Sequence, residues 1–438
     1  MAAYGIMPQV ANPEPNGGIG GETPATINRA AGWIPADPAN PLNLPYLPTA
    51  TNLPFGGGTV IIIVDGNNVG VDVEGNKGAG VNDLVKDAQT FSNWFGLAPI
   101  TSTNLTVVNV PGETPADNTN ASGADWALES RMDVEGVHLA NQKANIIVVQ
   151  SAYGTPYGPW DAVDYAVVLG KQAIAIGQGP VVISMSWSAG AGSPASWQAP
   201  LMSHFVNVPG IVFVAANGDT PGGNPGVPCG FGTVVCAGGT QFVRDSSTNA
   251  YLGQTVWHTN ATTGTTGGAN LGAPVPSFQQ AAVQNNGVLS AYRNTPDVST
   301  IGVNTWMFIG GGWGAAGGTS LSTPIMAGWI AAANVSGAWG SVAERNGGLA
   351  RTEAGSAQQF SSQTVLNKMY SLYDSTDDYL TSFLPITTGN CGSQLVGTEM
   401  VLLNAGPASP CMGLGQPLGP GGLSVLTREV RLRQPPIH

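Results

Sequence analysis

Charge is the scarcest property of this sequence. Only 9% of its 438 residues are Asp, Glu, Lys or Arg, against about a quarter in an average globular chain. Positive charge is scarcer still: 14 Lys and Arg face 26 Asp and Glu, a formal net charge of -12. That balance argues against nucleic acid or an anionic membrane as partner. No apolar run is long enough to span a membrane. Histidine occurs four times, at His138, His204, His258 and His438. None opens a histidine-glycine turn that would aim it at a nucleophile, and each reads as structural. No HExxH is present, so a zinc peptidase is unsupported. The start, Met1 to Asn12, lacks the charged-then-apolar pattern of a secretory leader. A mature or trimmed form, or another route of export, is expected. The four cysteines form no CxxC spacing. They fall into two sequence-local pairs, Cys229 with Cys236 and Cys391 with Cys411. Local disulfides in an exported protein are the expectation, with four buried free thiols as the alternative.

What is abundant is apolar and small. Hydrophobic residues make up 42% of the chain and glycine supplies 62 positions, enough for a sizeable core. The length allows two or three average domains or one large α/β unit. A surface of Ser, Thr, Asn and Gly tolerates acid, because few cations remain to repel one another once carboxylates are protonated. Residues 1–22 read as an irregular leader and 423–438 as a tail outside the core. Between them, strand and helix patterns alternate. Strands are expected at Thr59 to Val64, Leu105 to Val110, Asn145 to Gln150, Pro180 to Trp187 and Ile211 to Ala216. Val234 and Val235 lead into another strand. Helices are expected at Thr23 to Trp33, Asn82 to Phe95, Ala124 to Ala140, Asp161 to Ala175, Trp197 to Val206 and Gln363 to Asp374. Tyr251 to Gln280 reads as loop-rich. Repeated βαβ alternation implies a parallel sheet with helices on both faces. Ligands of such sheets bind at the carboxyl ends of the strands, where Asp65, Ser186 and Asp219 lie.

The chain reads as organised around Gly317-Gly318-Thr319-Ser320-Leu321-Ser322-Thr323-Pro324. A glycine turn leads into a helix that carries no charge through Ala333, so the helix should run through a core. Pro324 suits a first helical turn, and the small polar residues ahead of it suit capping. Ser320 thus stands at the positive end of a buried helix, a good place for a nucleophile. The plainer reading is a glycine turn with an ordinary cap.

Without a histidine base, carboxylates carry the chemistry. Glu129 and Asp133 are four apart on a helix and share one face. If they face a cleft, they would share a proton and one pKa would rise. One could then serve Ser320 as general base at acid pH, where histidine would be protonated. The competing reading is a solvated helix face with Arg131 as counter-charge. Asp219 follows an apolar strand at Phe213 to Asn217. Protonated, it could donate a hydrogen bond to a tetrahedral oxyanion; otherwise it is a strand-end turn aspartate.

Together these stretches resemble the sedolisin family, the serine-carboxyl peptidases. Its GTSxxxP motif is similar to Gly318 to Pro324, its Glu-x-x-x-Asp helix to Glu129 to Asp133, and its Gly-Asp to Gly218-Asp219. Val182 to Trp187 resembles its cleft-lining strand, Val235 to Thr240 its strand ending in GGT, and Pro296 to Ser299 the stretch before its serine. Gly413-Leu414-Gly415 resembles its C-terminal closure. The resemblance runs from about Thr23 to Gly422. It implies a subtilisin-like three-layer α/β fold, with a mostly parallel central sheet and helices on both faces, as a single large domain over 23–422. It implies Ser320 as nucleophile, Glu129 as base, Asp133 as the residue tuning that base, and Asp219 at the oxyanion. It also implies that Ser184, Ser186, Trp187 and Gly218 line the substrate cleft. The reaction implied is hydrolysis of protein or peptide substrates through an acyl-enzyme at acid pH, by a secreted protein or one of an acidic compartment, expected as a monomer.

The chain departs from the family pattern in four ways. Pro385 and Ser409 stand where the family places calcium carboxylates, so no cofactor is expected, and a Cys391–Cys411 bridge is expected to hold those loops instead. The family's long propeptide has no counterpart, and the glycine-rich loop before Phe278-Gln279-Gln280 is degenerate. Two readings compete with an endopeptidase: a tripeptidyl exopeptidase of the same family, and an inactive binding or structural protein. Subtilisins proper place an aspartate where Asp65 stands, but their histidine helix is missing here.

Overall fold

The computed structural model describes residues 21–33, 58–66, 81–113, 121–151, 158–334 and 360–425. The proposed leader over 1–22 and tail over 423–438 fall almost wholly outside them. Twelve elements define the frame. Six strands come first: β1 (Val60–Gly66), β2 (Leu105–Asn109), β3 (Asn145–Ser151), β4 (Val181–Met185), β5 (Ile211–Ala216) and β6 (Val235–Arg244). The long helices are α1 (Val81–Phe95), α2 (Ala121–Ala140) and α3 (Gly158–Ala175). Later in the chain come β7 (Tyr251–Val256), β8 (Val298–Ile301) and the central helix α4 (Thr319–Ala333).

One sheet holds all eight strands, in the order β8-β6-β5-β4-β1-β3-β2, with β7 antiparallel on β6. Every other pairing is parallel. β1 shows why. Its β-branched run Val60 to Val64 is buried throughout, which requires cover on both faces. Side chains alternate across a strand. Accordingly Ile61 and Ile63 pack into the apolar cluster with Met132 and Val137 of α2 and Ile325 and Trp329 of α4. Val60, Ile62 and Val64 face the opposite cluster, with Trp160, Val163 and Ala166 of α3. The three layers expected of the chain are present. The winding crosses β1 between β3 and β4, so the strand ends on either side of that crossing open a site at the carboxyl edge.

α4 is buried from Thr319 to Ala333, as its uncharged sequence requires. Its start differs from expectation. The N-cap is Gly318, at φ +131°, and makes no side-chain cap bond; Pro324 lies inside the helix rather than in its first turn. Glycine is needed at that φ. Proline has no N–H for the carbonyl four residues earlier, and that carbonyl belongs to Ser320. The Ser186 hydroxyl takes it instead, at 3.1 Å.

α2 crosses α4 at close range because two positions lack a side chain. A Cβ on Gly136 would lie 2.8 Å from Cγ of Pro324, and one on Gly328 would lie 2.6 Å from Cβ of Ala140. Backbone meets side chain directly there, which sets the spacing of the two helices that carry the proposed nucleophile and base.

Other boundaries moved. Trp197 to Val206 is not one helix: Ala195–Gln198 is a single α turn, and Leu201–Phe205 is a 3-10 turn. Pro200, between them, has no N–H to continue the first. The stretch read as loop-rich holds β7 and Gly268–Pro274, which pairs with Tyr292–Thr295. A hairpin of Asn390–Val396 and Glu399–Asn404 occupies part of the glycine-rich C-terminal region. Both local disulfides are formed, Cys229–Cys236 and Cys391–Cys411. No helix among the described residues is long and apolar enough to cross a membrane.

Candidate active site

The two acids of α2 face inward. Glu129 is 6% exposed and Asp133 fully buried, so the reading as a solvated helix face does not hold. Arg131 is not their counter-charge either. Its Nε donates to Asp87 at 2.6 Å and its Nη1 to the Ala127 carbonyl at 2.7 Å.

The Ser320 hydroxyl lies close enough to the Glu129 carboxyl to act against the rise of its pKa. It also contacts the Ser186 carbonyl oxygen at 3.4 Å. Burial pushes the Glu129 pKa well above the usual carboxyl value; the Ser320 hydroxyl opposes this, and the charges of Asp65 and Asp219 add to it. Asp133 is also raised well above its ordinary value, first by burial and then by the charges of Asp65 and Glu129. The Ser186 hydroxyl lies 2.7 Å from Asp133 Oδ1 and 3.1 Å from the Ser320 carbonyl oxygen; its single proton is shared between them, and so it links this acid to the Ser320 backbone.

Behind Asp133 stands a third acid. Asp65, at the end of β1, is 1% exposed and accepts the Ser130 hydroxyl at 2.6 Å. Burial raises its pKa to about 7, against the hydrogen bond from Ser130. Asp65 and Asp133 also act on each other, which adds to the rise of Asp133 and opposes that of Asp65. Asp65 Oδ1, Glu129 Oε1 and Asp133 Oδ2 are buried and have no donor from neighbouring groups. Three carboxyls this close and this dry cannot all be ionised, and they titrate as one coupled set.

Asp219 approaches Ser320 from the β5 side and is half-buried. Its Oδ1 accepts two bonds from Thr319: the backbone N–H at 2.7 Å and the hydroxyl at 2.8 Å. A Cβ on Gly318 would lie 3.1 Å from Asp219 Oδ2 and 3.5 Å from Cβ of Ser320. Asp219 Oδ2 and the Cβ of Ser320 therefore flank the same glycine. Burial raises the Asp219 pKa, against the two bonds from Thr319, which favours a protonated acid able to donate.

The four residues Ser320, Glu129, Asp133 and Asp219 thus converge. The expected cleft lining does not follow them. Ser184, Ser186 and Trp187 are buried, at 0%, 1% and 3% exposure. The Ser186 side chain is engaged inside the acid network, and Trp187 Nε1 donates to the Val64 carbonyl at 3.0 Å. Alternation along β4 and the turn after it points these side chains into the layers, so the correction is that they support the site from behind. Gly218 remains at the surface of the site, half-buried, at φ +108°. The described histidines have partners elsewhere: His138 with the Ala98 carbonyl, His204 with Asp164, and His258 with the Asn390 carbonyl. Sequence reading missed Thr319, Ser130 and the engagement of Asp65. Thr319 adjoins the serine and was the one with a visible signal.

No protein-family model matches the chain, and no curated protein matches it. Solved structures do. A Pseudomonas sedolisin, a serine-carboxyl proteinase complexed with two molecules of pseudo-iodotyrostatin, aligns over 91% of this chain and 95% of its own, at 19% identity and a TM-score of 0.57. A psychrophilic protease, S41, aligns over 80% of this chain and 90% of its own, at 15% identity and a TM-score of 0.42. Sphericase covers the same shares at 15% identity and 0.39. The chain has a subtilisin-like α/β fold of the kind seen in sedolisin.

Proposed function

We propose that this chain is a serine-carboxyl endopeptidase that works at acid pH on protein or peptide substrates. The observation that supports the reading is the Ser320 hydroxyl beside a buried glutamate, close enough to act on its pKa, with two further acids around that glutamate. Ser320 Oγ attacks the scissile carbonyl, and Glu129 accepts its proton. Asp133, linked through Ser186 and Asp65, tunes and orients that base. Protonated Asp219 donates to the oxyanion. Glu129 returns the proton to the leaving amine, and water then cleaves the acyl-enzyme by the same steps. Carboxyls with raised pKa values serve at pH values where an imidazole would be charged.

The fold family implies calcium near the C-terminus, but the residues there do not fit it. Pro385 has no side-chain oxygen. The Ser409 hydroxyl accepts the Met412 N–H at 3.1 Å. A hard cation needs several oxygens, preferably anionic, so we assign no calcium and no other cofactor. The Cys391–Cys411 bridge ties that loop to the neighbouring hairpin. Two disulfides favour an oxidising, exported location, and a monomer is proposed.

The test is hydrolysis of a denatured protein at about pH 4, where a shared-proton carboxyl set functions. The parent should cleave internal bonds and Ser320→Ala should not. An inactive parent, or a Ser320→Ala variant as active as the parent, overturns the reading.

A further inference from the structure

We propose that Thr319 is the positioning residue for Asp219: it occupies Oδ1 with two donors and thereby confines the acid's proton to Oδ2, the oxygen beside Ser320. This rests on the peptidase reading and extends it.

Three observations support it. The Thr319 hydroxyl has one proton. It accepts the Gly218 N–H at 3.0 Å, which turns its lone pair toward Gly218 and leaves its proton for Asp219 Oδ1 at 2.8 Å. The Thr319 backbone N–H reaches the same oxygen at 2.7 Å. An oxygen accepting two such bonds has no room to donate, so in the protonated acid Oδ1 is the carbonyl oxygen and Oδ2 carries the hydrogen. Oδ2 is also the oxygen that borders Ser320 across Gly318, where a Cβ would lie 3.1 Å away.

The main chain on either side is pinned. The Asp219 carbonyl accepts the Gly264 N–H at 3.1 Å, and the Gly218 carbonyl accepts the Thr266 N–H at 2.8 Å. With the backbone held and Oδ1 capped, the carboxyl cannot rotate its proton away from the site. The acid need not search among orientations as negative charge develops, which is what preorganisation means for an oxyanion donor. The charged or titratable group that faces this acid across the serine is Glu129, whose own pKa is raised by the charge of Asp219. An Asp219 kept protonated therefore also leaves Glu129 easier to ionise as base.

The experiment compares Thr319→Val, which keeps the shape and the backbone N–H but not the hydroxyl, with Thr319→Ser, which restores the hydroxyl. Thr319→Val should lower kcat by about tenfold, less than the hundredfold or more that follows outright loss of an oxyanion donor. KM should stay near the parent value. Affinity for a peptide aldehyde, whose adduct carries the oxyanion, should fall in step with kcat/KM. Thr319→Ser should recover most of both. In parallel, the Asp219 carboxyl is followed by carbon-13 NMR and assigned by its loss in Asp219→Asn. Its titration should move to higher pH in Thr319→Val, because a bond that stabilises the anion is gone. A folded Thr319→Val with parental kcat and parental Asp219 titration overturns the proposal, as does failure of serine to rescue. If the parent cleaves no peptide, the peptidase reading fails, while the carboxyl titration still decides whether Thr319 holds Asp219.

Discussion

Pro324 frees the carbonyl of Ser320, and Ser186 takes it. A proline inside a buried helix leaves one acceptor without its usual donor. Here that acceptor is the backbone of the proposed nucleophile, and the replacement donor also bonds Asp133. The break in the helix ladder thus becomes the joint between serine and acid pair.

The first prediction concerns that joint. Ser186→Ala leaves the Ser320 carbonyl and the Asp133 carboxyl without this hydroxyl. The variant should lose about 1–3 kcal/mol of stability, the usual penalty for an unsatisfied buried group. Its Asp133 pKa should rise further, because the bond from Ser186 lowers it. Chemical denaturation and the pH dependence of kcat check the two effects.

The helix crossing gives a second. Gly136→Ala places a methyl where Pro324 Cγ would be 2.8 Å away. Overpacking of this kind costs about 1–3 kcal/mol, and relief requires the two helices to separate. Activity should fall by more than stability accounts for, since Glu129 withdraws from Ser320. Lys143→Ala, in the exposed turn just beyond α2, serves as the control and should leave both unchanged.

Electrostatics behind the site gives a third. The charge of Asp65 raises both Glu129 and Asp133. Asp65→Asn removes it, so both pKa values fall. The acid limb of the activity profile, where the base becomes ionised, should move to lower pH. A limb that stays in place or moves upward contradicts the arrangement.

Stability should also depend on pH in a defined direction. Asp65, Glu129, Asp133, Glu135 and Asp219 all have folded pKa values above their ordinary ones. The folded state then holds protons that the unfolded chain has released. Stability is full below the ordinary carboxyl values, near pH 4, and declines as pH rises toward the folded value of about 7 for Asp65. His138 opposes this at the acid end: burial lowers its pKa to about 4, so some stability is lost as pH falls from about 6.5. Five carboxyls outweigh one imidazole. The melting temperature should be higher near pH 5 than near pH 7, and Glu135→Gln should flatten the decline.

Much of this was readable from residue order because it is periodic or local. The run Val60 to Val64 could be nothing but a doubly covered strand, and the four-residue spacing of Glu129 and Asp133 fixed their common face. What the spacing leaves open is which way that face points. That was decided by Arg131, which turns to Asp87, and by Gly136, which lets α4 come close. Neither effect is visible without the partner helix. Ser186 and Trp187 were misplaced for a related reason: a strand shows its alternation but not which of its two faces belongs to the cleft. Thr319 was legible as part of the glycine-threonine-serine turn, yet its use depends on Asp219, a hundred positions away.

The contacts of Gly136 and Gly328 lie further along their helices than Glu129 and Ser320, among fully buried residues. The distance between the two helices is therefore set in one place, and the acids and hydroxyl they carry meet in another.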